Sequence, residues 1–240
     1  MVLKKFIQSF CPWLQKYSAA PKKFACLLDN RSTTNYICPM KTITPVAEVR
    51  RHILETGQAI MGGKGFSAVG LTEILTAAGV PKGSFYYYFK SKDAFGEALL
   101  EQYFADYMAE LTELLEKPGQ SGAQRLMAYW EKWLKTQAGC DSQGKCLAVK
   151  LGAEVADLSE AMRSALRIGT AKIMQRLAKA IEDARADGSL AVEGDALFLA
   201  EILYQLWLGA SLLEKITRTG ESLKTAMAAT HRILNVPPQN

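Results

Sequence analysis

Residues 71–95, LTEILTAAGVPKGSFYYYFKSKDAF, constrain this chain more than any other stretch. The run LTEILTAA has the make-up of a short helix and stops at Gly79, a residue that tolerates the left-handed backbone at a helix C-terminus. Val80 follows and packs. Pro81 suits the start of a second helix, because its missing N–H would have no helical partner there. That second run, PKGSFYYYF, is basic, small and aromatic. Ser91 then caps a third helix whose first turn carries Asp93, a sign that suits the positive helix N-terminus. Two short helices across a tight glycine turn read as a helix-turn-helix. The second is expected to be a recognition helix in the major groove of DNA.

Charge is distributed as a DNA-reading head requires. The chain has 240 residues and a formal charge of +5. Residues 1–48 carry seven positive and two negative groups, residues 49–95 six and three, and residues 96–240 sixteen and nineteen. A basic block that contains the motif is thus joined to a slightly acidic remainder. A surplus of three charges is small, so the motif carries this reading and the charge only agrees with it. The length allows one large or two modest domains with a real core. No run of eighteen unbroken apolar residues occurs, so neither a transmembrane span nor a membrane partner is expected.

Residues 1–39 differ from the rest of the chain. They hold three of the five cysteines (Cys11, Cys26 and Cys38), a local excess of lysine and a polar run from Asn30 to Asn35. They lack the clean apolar core and cleavage site of a secretory signal. The expected organisation is an extension outside the conserved domain over 1–39, which a start chosen upstream in error would explain. Next come a helix-turn-helix domain over 40–91 and a helical sensor and dimerisation body over 92–240. A basic arm that touches DNA is the alternative for 1–39.

The fold class is all-α. The first helix is expected to be capped by Thr44, with Pro45 at its first position, and to run to about Met61 with Val49, Ile53 and Ile60 inward. Arg50 and Arg51 lie off that stripe, on a solvated face or within reach of phosphates. A long helix from Lys92 to about Glu116 links head to body. Helices over Ala123–Ala138, Cys146–Val155, Ser159–Ala186, Glu193–Thr217 and Glu221–Leu234 complete the chain. The last two are apolar on more than one side, which suits a four-helix bundle between two copies. A homodimer of this kind calls for double-stranded DNA with a palindromic operator.

The head resembles that of the TetR family of repressors. The resemblance rests on Gly65-Phe66, Ile74, Ala78-Gly79-Val80, Lys82-Gly83-Ser84, Phe85-Tyr86-Tyr87-Tyr88-Phe89 and Ser91-Lys92-Asp93. Gly70 stands where the family usually has a threonine cap, a small loss. Lys82 and Ser84 are candidates for bases or phosphates, and Tyr86 and Tyr87 offer hydroxyls to phosphates. Lys92, inside the next helix, is placed to meet a phosphate, and the resemblance supports the tyrosine and lysine assignments. Phe85 and Phe89 are read as core, and either Tyr87 or Tyr88 can face inward. The recognition helix has no Arg, Asn or Gln, so bidentate base readout is thin and DNA shape gains weight.

In the body, Trp130, Trp133, Tyr204 and Trp207 are candidates for a small-molecule pocket, or for plain core. The run Gly144-Lys145-Cys146-Leu147-Ala148-Val149-Lys150-Leu151, its continuation to Arg163, and Leu203–Ala210 with Leu213–Ile216 resemble the NemR-type group within that family. Those repressors respond to quinones, reactive aldehydes, alkylating agents and oxidants. The resemblance covers about residues 45–235 and implies that Cys146 is the sensor and that Lys215 pairs with it once oxidised. A thiol at a helix start near Lys145 and Lys150 is expected to have a lowered pKa. Ala156 and Ser189 stand where further body cysteines occur in some of the group, which points to a single-cysteine mechanism. The expected switch is release from operator on modification of Cys146, with the helix from Lys92 moving the head; a reversibly bound aromatic or apolar ligand is the alternative.

Other chemistries find little footing. Five cysteines without a Cys-x-x-Cys, and only His52 and His231, make a poor metal set. No nucleophile–base–acid constellation and no Gly-rich phosphate loop occurs, so neither an enzyme nor a cofactor is expected. The cysteine usage suits a reducing, cytoplasmic setting.

Overall fold

The computed structural model describes residues 46–138 and 146–237, all within one unit spanning 44–240. The extension 1–39, the Thr44 cap, Pro45, Cys140 and Lys145 lie outside the described residues. Among the described residues every regular element is a helix. The order is α1 (Val46–Lys64), α2 (Leu71–Ala78), α3 (Lys82–Tyr88), α4 (Lys92–Leu115), α5 (Gly122–Ala138), α6 (Leu147–Leu158), α7 (Glu160–Ala186), α8 (Ala196–Thr217) and α9 (Glu221–Ile233).

The head closes around aromatic and aliphatic side chains that α1, α2, α3 and the start of α4 turn inward. Ile53, Met61, Ile74, Phe85 and Phe95 are fully buried. The Phe85 ring lies 5.3 Å from Phe89 and 5.7 Å from Phe95. Each such ring contributes roughly 2–3 kcal/mol by leaving water. Gly79 adopts φ 65° at the C-terminus of α2, and the following N–H of Val80 donates to the Leu75 carbonyl at 3.0 Å. That is the tight turn of the helix-turn-helix. Pro81 caps α3 from outside and does not open it. Its ψ of 142° is extended, and its carbonyl accepts from Ser84 N–H at 2.9 Å.

Ser91 caps α4 by accepting from Ala94 N–H at 3.0 Å. From there α4 runs out of the head, which holds Phe95 and Leu99, and into the body, which holds Phe104, Leu111 and Leu115. The body packs α4, α5, α8 and α9 around α7 or one another. Its centre is a stack of Trp130 on Trp207, with centroids 5.4 Å apart and planes 15° apart. Trp133 Nε1 donates to Ser211 Oγ and Trp207 Nε1 to Thr230 Oγ1, each at 2.9 Å. These buried bonds fix the register of α5 on α8 and of α8 on α9.

Helix α8 is long and apolar enough to cross a membrane. Ala200, Leu203, Tyr204, Trp207 and Ala210 on it are nonetheless buried among the other helices, as in a core helix. Its other side exposes Phe198, Leu212, Leu213 and Ile216, at 59%, 53%, 52% and 70%.

Candidate sensor site and DNA-binding face

Cys146 is the N-cap of α6 and is buried, with 6% of its surface exposed. It sits on the lining of a cavity of about 270 Å³. Tyr103, Tyr107, Tyr129, Trp133 and Gln137 form the inner wall, and Gln58 of α1 reaches it from the head. The exposed Asp106 and Glu110 edge the open side, and Lys132 pairs with Glu110 at 2.8 Å. The phenols are linked: Tyr107 and Tyr129 hydroxyls are 2.9 Å apart, and the Tyr103 hydroxyl accepts from Leu147 N–H at 3.2 Å.

Burial pushes the Cys146 thiol above its ordinary range. Opposing this are the N–H of Val149, the Tyr103 hydroxyl, the N–H of Ala148 and the charge of Lys215. The lowered pKa expected from neighbouring lysines is therefore corrected: desolvation wins, as it does for thiols in apolar surroundings. The helix N-terminus and Lys215 remain aimed at stabilising a thiolate when it forms. Tyr103, Tyr129 and Tyr204 are all held protonated well into alkaline pH, first by burial and then by mutual repulsion with neighbours that include Cys146.

Of the four aromatics expected at a pocket, Trp133 lines this cavity. Trp130 and Trp207 are buried in their stack and Tyr204 is buried edge-on against Trp133; these three are not among the residues that line this cavity. They were indistinguishable by spacing, because all four sit on inward stripes of α5 and α8. The tyrosines of α4 and the acidic edge were missed; their signal was the pair Tyr103 and Tyr107, one helical turn apart.

On the head, Lys82 and Gly83 are exposed at the start of α3 and Ser84 is half-buried. Tyr86 and Tyr87 project outward at 60% and 73% exposure, while Tyr88 is half-buried and Phe85 and Phe89 are core. Lys92 behaves differently. Its Nζ donates to the Phe66 carbonyl at 2.9 Å and lies 4.6 Å from the centre of the Phe66 ring. Arg50 leans over the Phe89 ring at 5.2 Å, and Arg51 pairs with Glu55 at 3.4 Å on the surface.

Comparison with known proteins agrees with this architecture. Residues 53–99 match the model of bacterial regulatory proteins of the tetR family, and residues 122–230 match the tetracyclin repressor-like C-terminal domain. The HTH-type transcriptional repressor NemR of Escherichia coli (strain K12) is 43% identical over 190 residues, 79% of this chain and 96% of the relative. The HTH-type transcriptional repressor DhaR of Mycobacterium sp. (strain GP1) is 31% identical over 192 residues, 80% and 95% of the two chains. The crystal structure of reduced E. coli NemR superposes with a TM-score of 0.74 at 43% identity, covering 80% of this chain and all (100%) of that one. The chain belongs to the TetR family of transcriptional regulators.

Proposed function

We propose that the chain is a homodimeric, cytoplasmic repressor that binds a palindromic operator and leaves it when an electrophile or oxidant modifies Cys146. The observation that carries this reading is the placement of one buried thiol at a helix N-terminus, on the lining of an aromatic cavity, within the electrostatic reach of Lys215. The relatives' repressor function supports the DNA-binding part. Lys82, Ser84, Tyr86 and Tyr87 supply the outward surface of α3, and Lys92 holds the turn before α2. The apolar outer face of α8 supports pairing with a second copy.

The chemistry balances in two forms. A quinone or unsaturated aldehyde adds the sulfur at its electrophilic carbon, and the thiol proton ends on the product, with no leaving group. Hypochlorous acid oxidises the thiol by two electrons to a sulfenyl chloride and leaves as water. The Lys215 amine then displaces chloride, forming a sulfur–nitrogen bond and releasing a proton. Two molecules of a small thiol later reset the switch: the first frees the Lys215 amine and leaves a mixed disulfide on Cys146, and the second releases the Cys146 thiol as a small-molecule disulfide.

The deciding experiment is a gel shift of the purified protein on its own upstream DNA. It is run reduced, then after N-ethylmaleimide or dilute hypochlorous acid, with Cys146→Ser alongside. The treated protein is expected to lose affinity by about thirtyfold or more, roughly 2 kcal/mol, and the variant to stay within about threefold. Unchanged binding by a fully modified protein overturns the reading. A second reading, release by a reversibly bound aromatic ligand, draws on the ring-lined cavity itself; a Cys146→Ser protein that still releases its operator would favour it.

A further inference from the structure

Helix α6 touches the head as well as the sensor. Its N-terminus holds Cys146, and towards its other end Glu154 reaches the turn between α1 and α2. One carboxylate oxygen accepts from Phe66 N–H at 3.0 Å and the other from Ser67 N–H at 2.7 Å. The Ser67 hydroxyl adds a further bond, and Lys92 lies close enough to act on the same carboxylate. Lys92 meanwhile holds the Phe66 carbonyl and covers its ring. The turn is thus gripped at its N–H groups by α6 and at its carbonyl by α4.

The fit leaves no slack. Gly65 has φ +94°, and a Cβ there would stand 3.1 Å from a Glu154 oxygen. The Phe66 ring and Met162, at the start of α7, converge on Gly96 of α4, where a Cβ would collide with both. Phe66 and Met162 are themselves 4% and 0% exposed. Ser159, which ends α6 and caps α7, makes the corner that carries Met162. The α6–α7 corner and the α1–α2 turn therefore pack as one piece.

We propose that Glu154 is the positioning residue through which α6 holds the DNA-reading helices in their operator-binding arrangement, and that modification of Cys146 acts on DNA affinity by loosening this grip. The inference rests on Cys146 being the modified sensor. A group added to the sulfur enters the cavity beside Tyr103, whose hydroxyl is bonded to Leu147 N–H, and so presses on the first turn of α6. A helix transmits the displacement along its axis, here over eight residues or about 12 Å. Charge-assisted hydrogen bonds to two adjacent N–H groups are short and directional, so a shift on the order of 1 Å breaks them. Glu154 acts through the turn and touches neither the modified sulfur nor DNA.

The test uses the full-length protein, a duplex of its own upstream DNA, and N-ethylmaleimide as the modifying probe. Glu154→Ala and Glu154→Gln are compared with wild type, and Glu182→Gln, an exposed carboxylate near the opposite end of α7 from the α6–α7 corner, is the control. Peptide mass spectrometry confirms equal occupancy of Cys146 in every sample. Expected is a reduced Glu154→Ala protein that binds about tenfold more weakly than wild type and changes less than about threefold on modification. Hydrogen exchange at the Phe66 and Ser67 amides should be faster in that variant, and in wild type only after modification. A Glu154→Ala protein with the wild-type ratio of reduced to modified affinity overturns the inference while leaving the Cys146 reading intact. Wild-type affinity that ignores the adduct overturns both. If the variants do not fold, exchange in wild type decides: protection at 66–67 that the adduct leaves unchanged overturns the proposal.

Discussion

Cys146 carries two opposed influences, and their balance sets how the sensor should respond to pH. Burial raises the thiol; two backbone N–H groups, the Tyr103 hydroxyl and Lys215 pull it back without overcoming it. The neutral thiol therefore predominates at neutral pH, and the reactive thiolate is a minor species whose population grows with pH. Alkylation of Cys146 by N-ethylmaleimide is expected to accelerate about tenfold per unit between pH 7 and pH 9, with no plateau in that window. Quenched-flow labelling with peptide mass spectrometry separates Cys146 from the other four cysteines and reads this directly. A rate that levels off below pH 8 would mean a thiolate already formed at neutral pH. The sequence pointed to Cys146 through the resemblance of the run around it to the NemR-type group, and its place at a helix start near lysines agreed. It could not show the sign of the shift. The desolvating neighbours Tyr103, Tyr107 and Trp133 arrive from α4 and α5, and only packing brings them to the thiol.

At the scale of elements, the two lysines expected to meet DNA sit in different settings. Lys82 is an exposed cation at the start of α3, whereas the Lys92 ammonium is committed to Phe66. A phosphate-neutralising lysine releases counterions, so Lys82→Ala is expected to weaken operator binding about three- to tenfold and to lower the log–log salt slope by about 0.9. Tyr87→Phe removes an uncharged donor and should weaken binding by a few-fold with the slope unchanged. Fluorescence anisotropy on a labelled duplex across a salt series measures both; a Lys82→Ala slope equal to wild type would remove Lys82 from the phosphates. The helices themselves were legible because their signals are local. Gly79 and Ser91 punctuate them, and the observed α2, α4, α5 and α7 fall within a residue or so of the expected bounds, whereas α8 starts at Ala196, three residues after the expected Glu193, because Asp195 caps it. What is not local stayed hidden. Whether Tyr87 or Tyr88 turns inward depends on where α1 and α4 lie, and the structure exposes Tyr87. The sequence likewise assigned the link between head and body to α4 alone. The grip of Glu154 on residues 66 and 67 joins positions too far apart in sequence for any periodicity to signal.

At the scale of the whole molecule, the outer face of α8 is the feature that supports the proposed pair. Helix α8 spends one side on the body core and leaves Phe198, Leu212, Leu213 and Ile216 on the other, at helical spacing and with Gly209 among them. A mostly apolar exposed face, broken by Gln205, on a helix whose other side enters the core marks an association surface. A two-fold axis beside α8 and α9 would stack it against its own copy, so each residue near the axis enters the interface twice. That symmetry makes the interface sensitive to charge. Leu212→Glu with Ile216→Glu would bring four carboxylates into one apolar seam, where unpaired charges cost several kcal/mol. The double variant is expected to run as a monomer by size exclusion with light scattering at micromolar concentration. Its helical circular dichroism should match wild type, since neither side chain touches the body core. DNA binding must fall with it, because a monomer engages one half-site and loses the effective concentration that the first half-site confers on the second. The loss should be about a hundredfold or more. A substituted protein that stays dimeric would place the two-fold contact elsewhere. A monomer that kept wild-type affinity would break the link between pairing and operator symmetry on which palindromic recognition depends.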